Sequence, residues 1–156
     1  MIPWGTPVTL LGETEEQVAE AQRELARIGI DEVAAQATGG PQDWTDDPLS
    51  TLERATFADL AQVRHHRRVE VLDVRNPKEY ASGHVDGALN IPLGQLPGRL
   101  GEVPSGEVWV HCASGYRSSI GASFLAAHGR QVVALDDDFD EQAGKVGLPL
   151  EGSAAS

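Results

Sequence analysis

Short apolar runs alternating with segments of helical periodicity constrain this chain more than any other feature of its sequence. Val8-Thr9-Leu10-Leu11 is an apolar run closed by Gly12. From Glu13 the apolar positions become Val18, Ala21, Leu25 and Ile28, spaced by three or four, with Gly29 behind them as a stop. Thr14 with Gln17 three residues on fits a capping box, and residues 30–34 resume a strand-like run that Gly39-Gly40-Pro41 breaks. Further on, Thr56 precedes a short helix marked by Phe57, Leu60 and Val63, residues 69–74 alternate as a strand, and Asn76-Pro77 forces a turn before one helical turn at Lys78-Glu79-Tyr80. Residues 88–92 read as a strand, 93–100 as a glycine-interrupted helix, 107–111 as a buried strand, 118–128 as an Ala-rich helix closed by Gly129, and 131–135 as the next strand. Strands and helices in this order predict an α/β fold with a mainly parallel sheet. Reactive groups in such sheets collect beyond the carboxyl ends of the strands, where Asp73 and Cys112 both fall.

The 156 residues are about one domain's worth, but the chain is not uniform along its length. Residues 41–50 have little periodicity and read as a connection, with a new unit beginning near Ser50. Laying the start of the chain over the later part at an offset of 100 pairs Gly12 with Cys112, Leu25-Ala26-Arg27-Ile28-Gly29 with Leu125-Ala126-Ala127-His128-Gly129, and Val33 with Val133. This predicts a partial, catalytically empty unit and linker over residues 1–49, a complete domain over 50–150 and a flexible tail over 151–156. Any two strand-helix-strand units share some of this similarity.

Charge and cysteine usage exclude several classes of function. Twelve basic against 24 acidic residues give a net charge of −12, which disfavours nucleic acid and anionic membrane as partners. Most of that charge lies before Val63, leaving the later part nearly balanced. A single cysteine, Cys112, rules out an internal disulfide framework and a multi-thiolate metal site. His65-His66 sits in a basic run that reads as a solvated face, no metal-ligand spacing of histidines occurs, and no metal or other cofactor is expected. No run approaches the roughly 20 apolar residues of a membrane span, and the first residues lack the pattern of a secretory signal, so a cytoplasmic protein is expected.

The chemistry-bearing segment is Cys112-Ala113-Ser114-Gly115-Tyr116-Arg117-Ser118, which follows a strand and opens a helix. A short loop there can turn successive backbone N–H groups toward the sulfur, favouring thiolate over thiol. Arg117 adds a cation whose planar fork suits an oxyanion substrate or a charged intermediate. The bland alternative is a small buried hydrophobe at a strand end.

Three blocks resemble the signatures of rhodanese-like domains, in the family's order: residues 72–80, residues 83–92, and Cys112 through Ser118. The resemblance implies a central sheet with helices on both sides and a sulfurtransferase. Cys112 would take sulfane sulfur from a donor such as thiosulfate or a low-molecular-weight persulfide, hold it as a persulfide, and pass it to a thiol or cyanide. Ala113, Ser114, Gly115, Tyr116, Arg117 and Ser118 would bind the substrate. The six-residue loop resembles sulfur-transferring members, whereas the related cysteine phosphatases have one residue more. Asp73 and Arg75 match the family's Asp-Val-Arg block and are read as the site's floor, pairing with each other's neighbours or with loop amides, in preference to a direct catalytic role. His84 and Asn90 are read as turn and strand-end fixtures. A non-catalytic interaction or regulatory module is the competing class.

The pattern departs from the family after Leu135. Asp137-Asp138 stand where glycines are usual and Gln142 where a tryptophan is, while Gly147-Leu148-Pro149 matches the usual ending. Two aspartates predict an altered turn and a negative patch that would repel anionic donors, with the packing of the last helix open. Gly39-Gly40 and Trp44 keep in the first unit what the second has lost. The arrangement resembles the tandem tail of proteins with an upstream metallo-β-lactamase-type domain. A truncated first unit would leave a sheet edge open, predicting a homodimer or partner chain over residues 1–50.

Overall fold

The computed structural model describes residues 5–152, and the chain divides into two compact units, Met1–Ser50 and Thr51–Ser156. In the first unit, β1 (Val8–Gly12) and β2 (Val33–Thr38) pair in parallel across the helix α1 (Glu15–Arg27). Thr14 caps α1 by accepting from the Gln17 N–H at 3.3 Å. Gln17 returns its side-chain oxygen to the N–H of Glu13 at 2.9 Å, one residue earlier than the usual box. Of the four periodic positions only Val18 is buried, and Ile28 is 67% exposed because it caps the helix instead of facing a core.

Strand β2 begins at Val33, later than the sequence predicts, and the helix end explains the shift. Gly29, at φ +81°, donates to Ala26 O and Ile30 donates to Leu25 O, so the N–H of Ile30 completes a Schellman cap and is lost to the sheet. The same pair of bonds recurs 100 residues later, from Gly129 to Ala126 O and from Arg130 to Leu125 O. The segment read as irregular contains one helical turn, α2 (Pro41–Trp44), started by proline and held by Gly40 N–H on the Asp43 carboxylate.

The second unit contains β3 (Glu53–Ala55), α3 (Phe57–His66), β4 (Glu70–Asp73), α4 (Pro77–Ser82), β5 (His84–Val85), β6 (Leu89–Asn90), a 3-10 helical stretch (Leu93–Glu102), β7 (Val108–His111), α5 (Tyr116–Ala127), β8 (Val132–Leu135), a π-helical turn (Phe139–Ala143) and β9 (Leu150–Glu151). Its sheet runs β3-β8-β7-β4-β6 with every neighbouring pair parallel, and β5 pairs antiparallel with β9. Glu53-Arg54-Ala55 carries no apolar run and was not foreseen as a strand; it becomes one because its backbone pairs with residues 133–135 of β8.

Side-chain alternation builds two cores. On one face Val71, Trp109, Val133 and Leu135 pack with Phe57 and Leu60 of α3 and with Phe139. On the other Leu72, Val74, Val108, Val110 and Ala134 pack with Ala122 and Leu125 of α5 and with Leu96. Helices therefore flank the sheet on both sides, which is why the strands read as continuous apolar runs.

Candidate active site

Cys112 is the first residue beyond β7, and α5 starts at Tyr116, two residues earlier than the helical pattern suggests. The turn between them needs Gly115, whose φ of +90° is left-handed and whose missing Cβ would lie 2.2 Å from an Asp136 carboxylate oxygen and 3.1 Å from the Asp136 Cα. Cys112 is only 2% exposed. Burial pushes its thiol up, but the N–H groups of Ser118, Ser114 and Gly115, together with the Ser118 hydroxyl, outweigh burial and hold it below its ordinary value. The thiol lies 3.7 Å from Ser118 Oγ, which is also within hydrogen-bond reach of Gly115 O at 2.7 Å and Leu135 O at 2.8 Å. Ala113 O accepts from Phe139 N–H at 2.8 Å, and Tyr116 stands 77% exposed at the lip of the loop.

Arg117 is not the open cation that the sequence suggests. Its guanidinium forms two bonds to the Glu79 carboxylate, at 2.9 and 2.7 Å, and this pairing is the main reason that Glu79 is pushed down to about 2. Glu79 also accepts from the N–H of Asn76, the N-cap of α4, at 3.0 Å, so the capping-box partner of that helix ties it to the loop. Nothing in the motif pattern pointed to Glu79 as the partner of a residue 38 positions away.

Beneath the loop, Asp73 and Arg75 pair with each other directly, where the sequence reading placed them against neighbours or loop amides. Arg75 donates from its backbone N–H and from Nε and Nη2 to the Asp73 carboxylate, and from Nη2 to Gly83 O at 2.7 Å. Both are buried, and the Arg75 guanidinium lies 3.9 Å from the Phe139 ring centroid. Asn90 donates to the carbonyls of Asp73 and Arg75, and His84 stacks on Tyr80 with centroids 3.7 Å apart, so both are fixtures of strand end and turn.

His111 was overlooked by the sequence reading. It is fully buried, stacked on Phe139 at 5.3 Å and edge-on to Phe57 at 5.5 Å, with Nε2 lacking any hydrogen-bond partner. Burial pushes it down to about 4 despite the Asp73 carboxylate 3.6 Å away.

The three aspartates after Leu135 each have a defined place. Asp136 pairs with Arg54 at 2.9 Å, Asp137 accepts from the N–H of Phe57, and Asp138 caps the π-helical turn by accepting from Glu141. That turn is well packed, with Phe139 and Ala143 buried. The described residues hold no cluster of metal-ligating side chains, and no helix among them is long and apolar enough to cross a membrane.

A parallel sheet wrapped on both faces, with a cysteine held by backbone amides beyond its carboxyl edge, defines a loop-cradled thiol protein. Residues 56–144 match the model of the rhodanese-like domain, and the chain belongs to that family. It is 31% identical over 137 residues to the HTH-type transcriptional regulator Rv0324 of Mycobacterium tuberculosis, covering 86% of this chain and 55% of that protein. It is 27% identical over 93 residues to the thiosulfate sulfurtransferase GlpE of Shewanella oneidensis, covering 58% of this chain and 92% of that one. A crystal structure of a rhodanese-related protein from Thermoplasma volcanium superposes with a TM-score of 0.57 at 26% identity, covering 65% of this chain and 99% of the other. The chain spans about half to two thirds of the length of several curated relatives that it matches.

Proposed function

We propose that this protein is a sulfurtransferase that carries sulfane sulfur as a persulfide on Cys112. The observation that carries the reading is the thiol itself, set against three backbone N–H groups that favour its thiolate. Sulfurtransferases among the relatives support the same chemistry. Cys112 attacks the sulfane sulfur of thiosulfate or a small persulfide. The S–S bond of the donor breaks, sulfite or a thiolate leaves with the electron pair, and the sulfur then passes to an external thiol or to cyanide. An external acceptor is needed because this sequence has no second cysteine to resolve the persulfide. Residues 113–118 cradle the donor through their amides, and Asp73 with Arg75 braces the floor. Treatment with thiosulfate or glutathione persulfide should add about 32 Da to Cys112 by mass spectrometry, set by the mass of one sulfur atom gained in thiol exchange. An accessible Cys112 that gains no sulfur from either donor refutes the proposal.

The extent of the mycobacterial match favours one second reading, a regulatory module whose persulfide state is sensed by an attached domain. Residues 1–49 remain proposed as a partial copy of the same fold, with a second copy or another chain covering them in a cytoplasmic setting. A monomer in sedimentation at working concentration would contradict that coverage.

A further inference from the structure

Helix α5 turns an almost uncharged face to solvent. Its 12 residues include one charged side chain, Arg117, in a chain of which 23% is charged, and Arg117 is held by Glu79 through two hydrogen bonds. By contrast α1 is lined with glutamates and arginines, and α3 carries Asp59 and Arg64. Ser118, Gly121, Ala122 and Leu125 of α5 are buried, whereas Tyr116, Ile120, Ser123, Ala126 and Ala127 are exposed and Phe124 is half-buried. A solvated helix face normally carries charge, while the centres of protein interfaces lose charge and gain aromatic side chains. Tyr116, Ile120 and Phe124 recur every fourth residue and form one ridge. Tyr116 is 77% and Ile120 44% exposed, and the Phe124 ring lies against His128 with centroids 4.3 Å apart. The ridge starts at the loop that holds the Cys112 sulfur, which is nearly covered and has no second cysteine in the sequence to resolve it.

From this arrangement we propose that the outer face of α5 docks a partner protein that presents a cysteine within an uncharged, apolar segment and takes the sulfur from Cys112. The inference rests on the sulfurtransferase reading above and adds to it the surface on which the acceptor binds. Charge and depth select this occupant. The net charge of −12 is carried elsewhere in the chain, so the ridge favours an equally uncharged segment through apolar burial and offers a charged one no counter-ion. A sulfur this deeply set is served by a thiol held beside it, and docking supplies that as effective concentration. The partner's thiolate bonds to the outer sulfur of the Cys112 persulfide, the bond between the two sulfurs breaks, and Cys112 leaves as thiolate with the electron pair. The persulfide proton stays on the transferred sulfur, and no oxidant or reductant is consumed.

The full chain is loaded on Cys112 with glutathione persulfide and freed of donor. Transfer is then read by quench and mass spectrometry to cyanide and to two short blocked peptides, with peptide rates expressed per thiolate. One peptide carries cysteine among leucine and valine, the other among serine and asparagine. The apolar peptide should react about tenfold faster than the polar one, the scale of one well-buried aliphatic contact. In Ile120→Asn that advantage should fall below about threefold while the cyanide rate moves by less than about twofold, because cyanide is too small to use the ridge. Equal rates for the two peptides, or an advantage undiminished in Ile120→Asn, overturns the proposal. Should that variant fail to fold, Ile120→Ala removes the same contact and is read in the same way. A dimer in sedimentation that Ile120→Asn dissociates would assign the ridge to a second copy and also overturn it. A chain that loads no sulfur refutes the sulfurtransferase reading itself, whereas one that loads and serves cyanide without preferring the apolar peptide refutes this inference alone.

Discussion

Acidification should destabilise the second unit through one residue before its carboxylates take part. His111 is buried and pushed down to about 4 from an ordinary 6.5, so between these values the unfolded chain binds a proton that the native chain refuses. Stability is full above pH 6.5 and declines as pH falls toward 4. Integrated from about pH 7 to about pH 4.5, the difference amounts to about 2.5 kcal/mol, or roughly 1–2 M in urea midpoint for a domain of this size. The window is selective. The depressed carboxylates of Glu79, Asp59, Glu102 and Glu107 act below their ordinary values of 4.5 and 3.8. The assay is urea unfolding at both pH values, read by Trp109 emission in a chain whose other two tryptophans are replaced by Phe. His111→Phe is the control, because an aromatic ring there continues the Phe57 and Phe139 stack and carries no proton. The variant should lose most of the pH dependence whatever its absolute stability. An unchanged difference between the two pH values in His111→Phe would refute the reasoning.

Two further substitutions probe the loop and its floor. Gly115→Ala forces a side chain into left-handed φ at a cost of about 1–2 kcal/mol and drives its Cβ against Asp136, so the Gly115 amide must shift and the pH midpoint for Cys112 alkylation should rise. An alkylation profile that superposes on the wild type would show that this amide does not hold the thiolate. Asp73→Asn leaves the Arg75 guanidinium buried without its counter-charge and should destabilise the second unit by about 3–5 kcal/mol in urea titration, with Asp73→Asn/Arg75→Met recovering part of the loss.

What was legible in the sequence follows the range of the forces involved. The strands and helices of the second unit, and the cysteine at a strand end, came from apolar spacing and glycine stops, which act over a few residues. Strand β3 was missed because Glu53-Arg54-Ala55 has no local signature and is a strand only through pairing with β8. The start of β2 was misplaced because the Schellman cap consumes the N–H of Ile30. Arg117 was read as open because its partner, Glu79, lies 38 residues away on a helix whose orientation no local pattern specifies. Asp137-Asp138 in place of glycines predict an altered turn and a negative patch, with the packing of the last helix open. In the structure Asp137 bonds Phe57, 80 residues earlier, at the start of α3.

Strand parity bears on the place of Asp73 and Arg75 relative to the sulfur. Val108, Val110 and Cys112 fall on the face packed against α5, whereas Trp109 and His111 fall on the opposite face with Phe57 and Phe139. The guanidinium of Arg75 lies over Phe139 and its carboxylate partner Asp73 lies beside His111, so both belong to that opposite side. Shifting β7 by one residue would exchange the faces and carry the cysteine away from α5, whose first N–H groups complete its cradle. Arg75 ties the carboxyl edge to Gly83 O, and Asn90 holds the backbone carbonyls of Asp73 and Arg75 beside it. Under the proposed sulfurtransferase reading, the chemistry is left to one thiol and the amides around it.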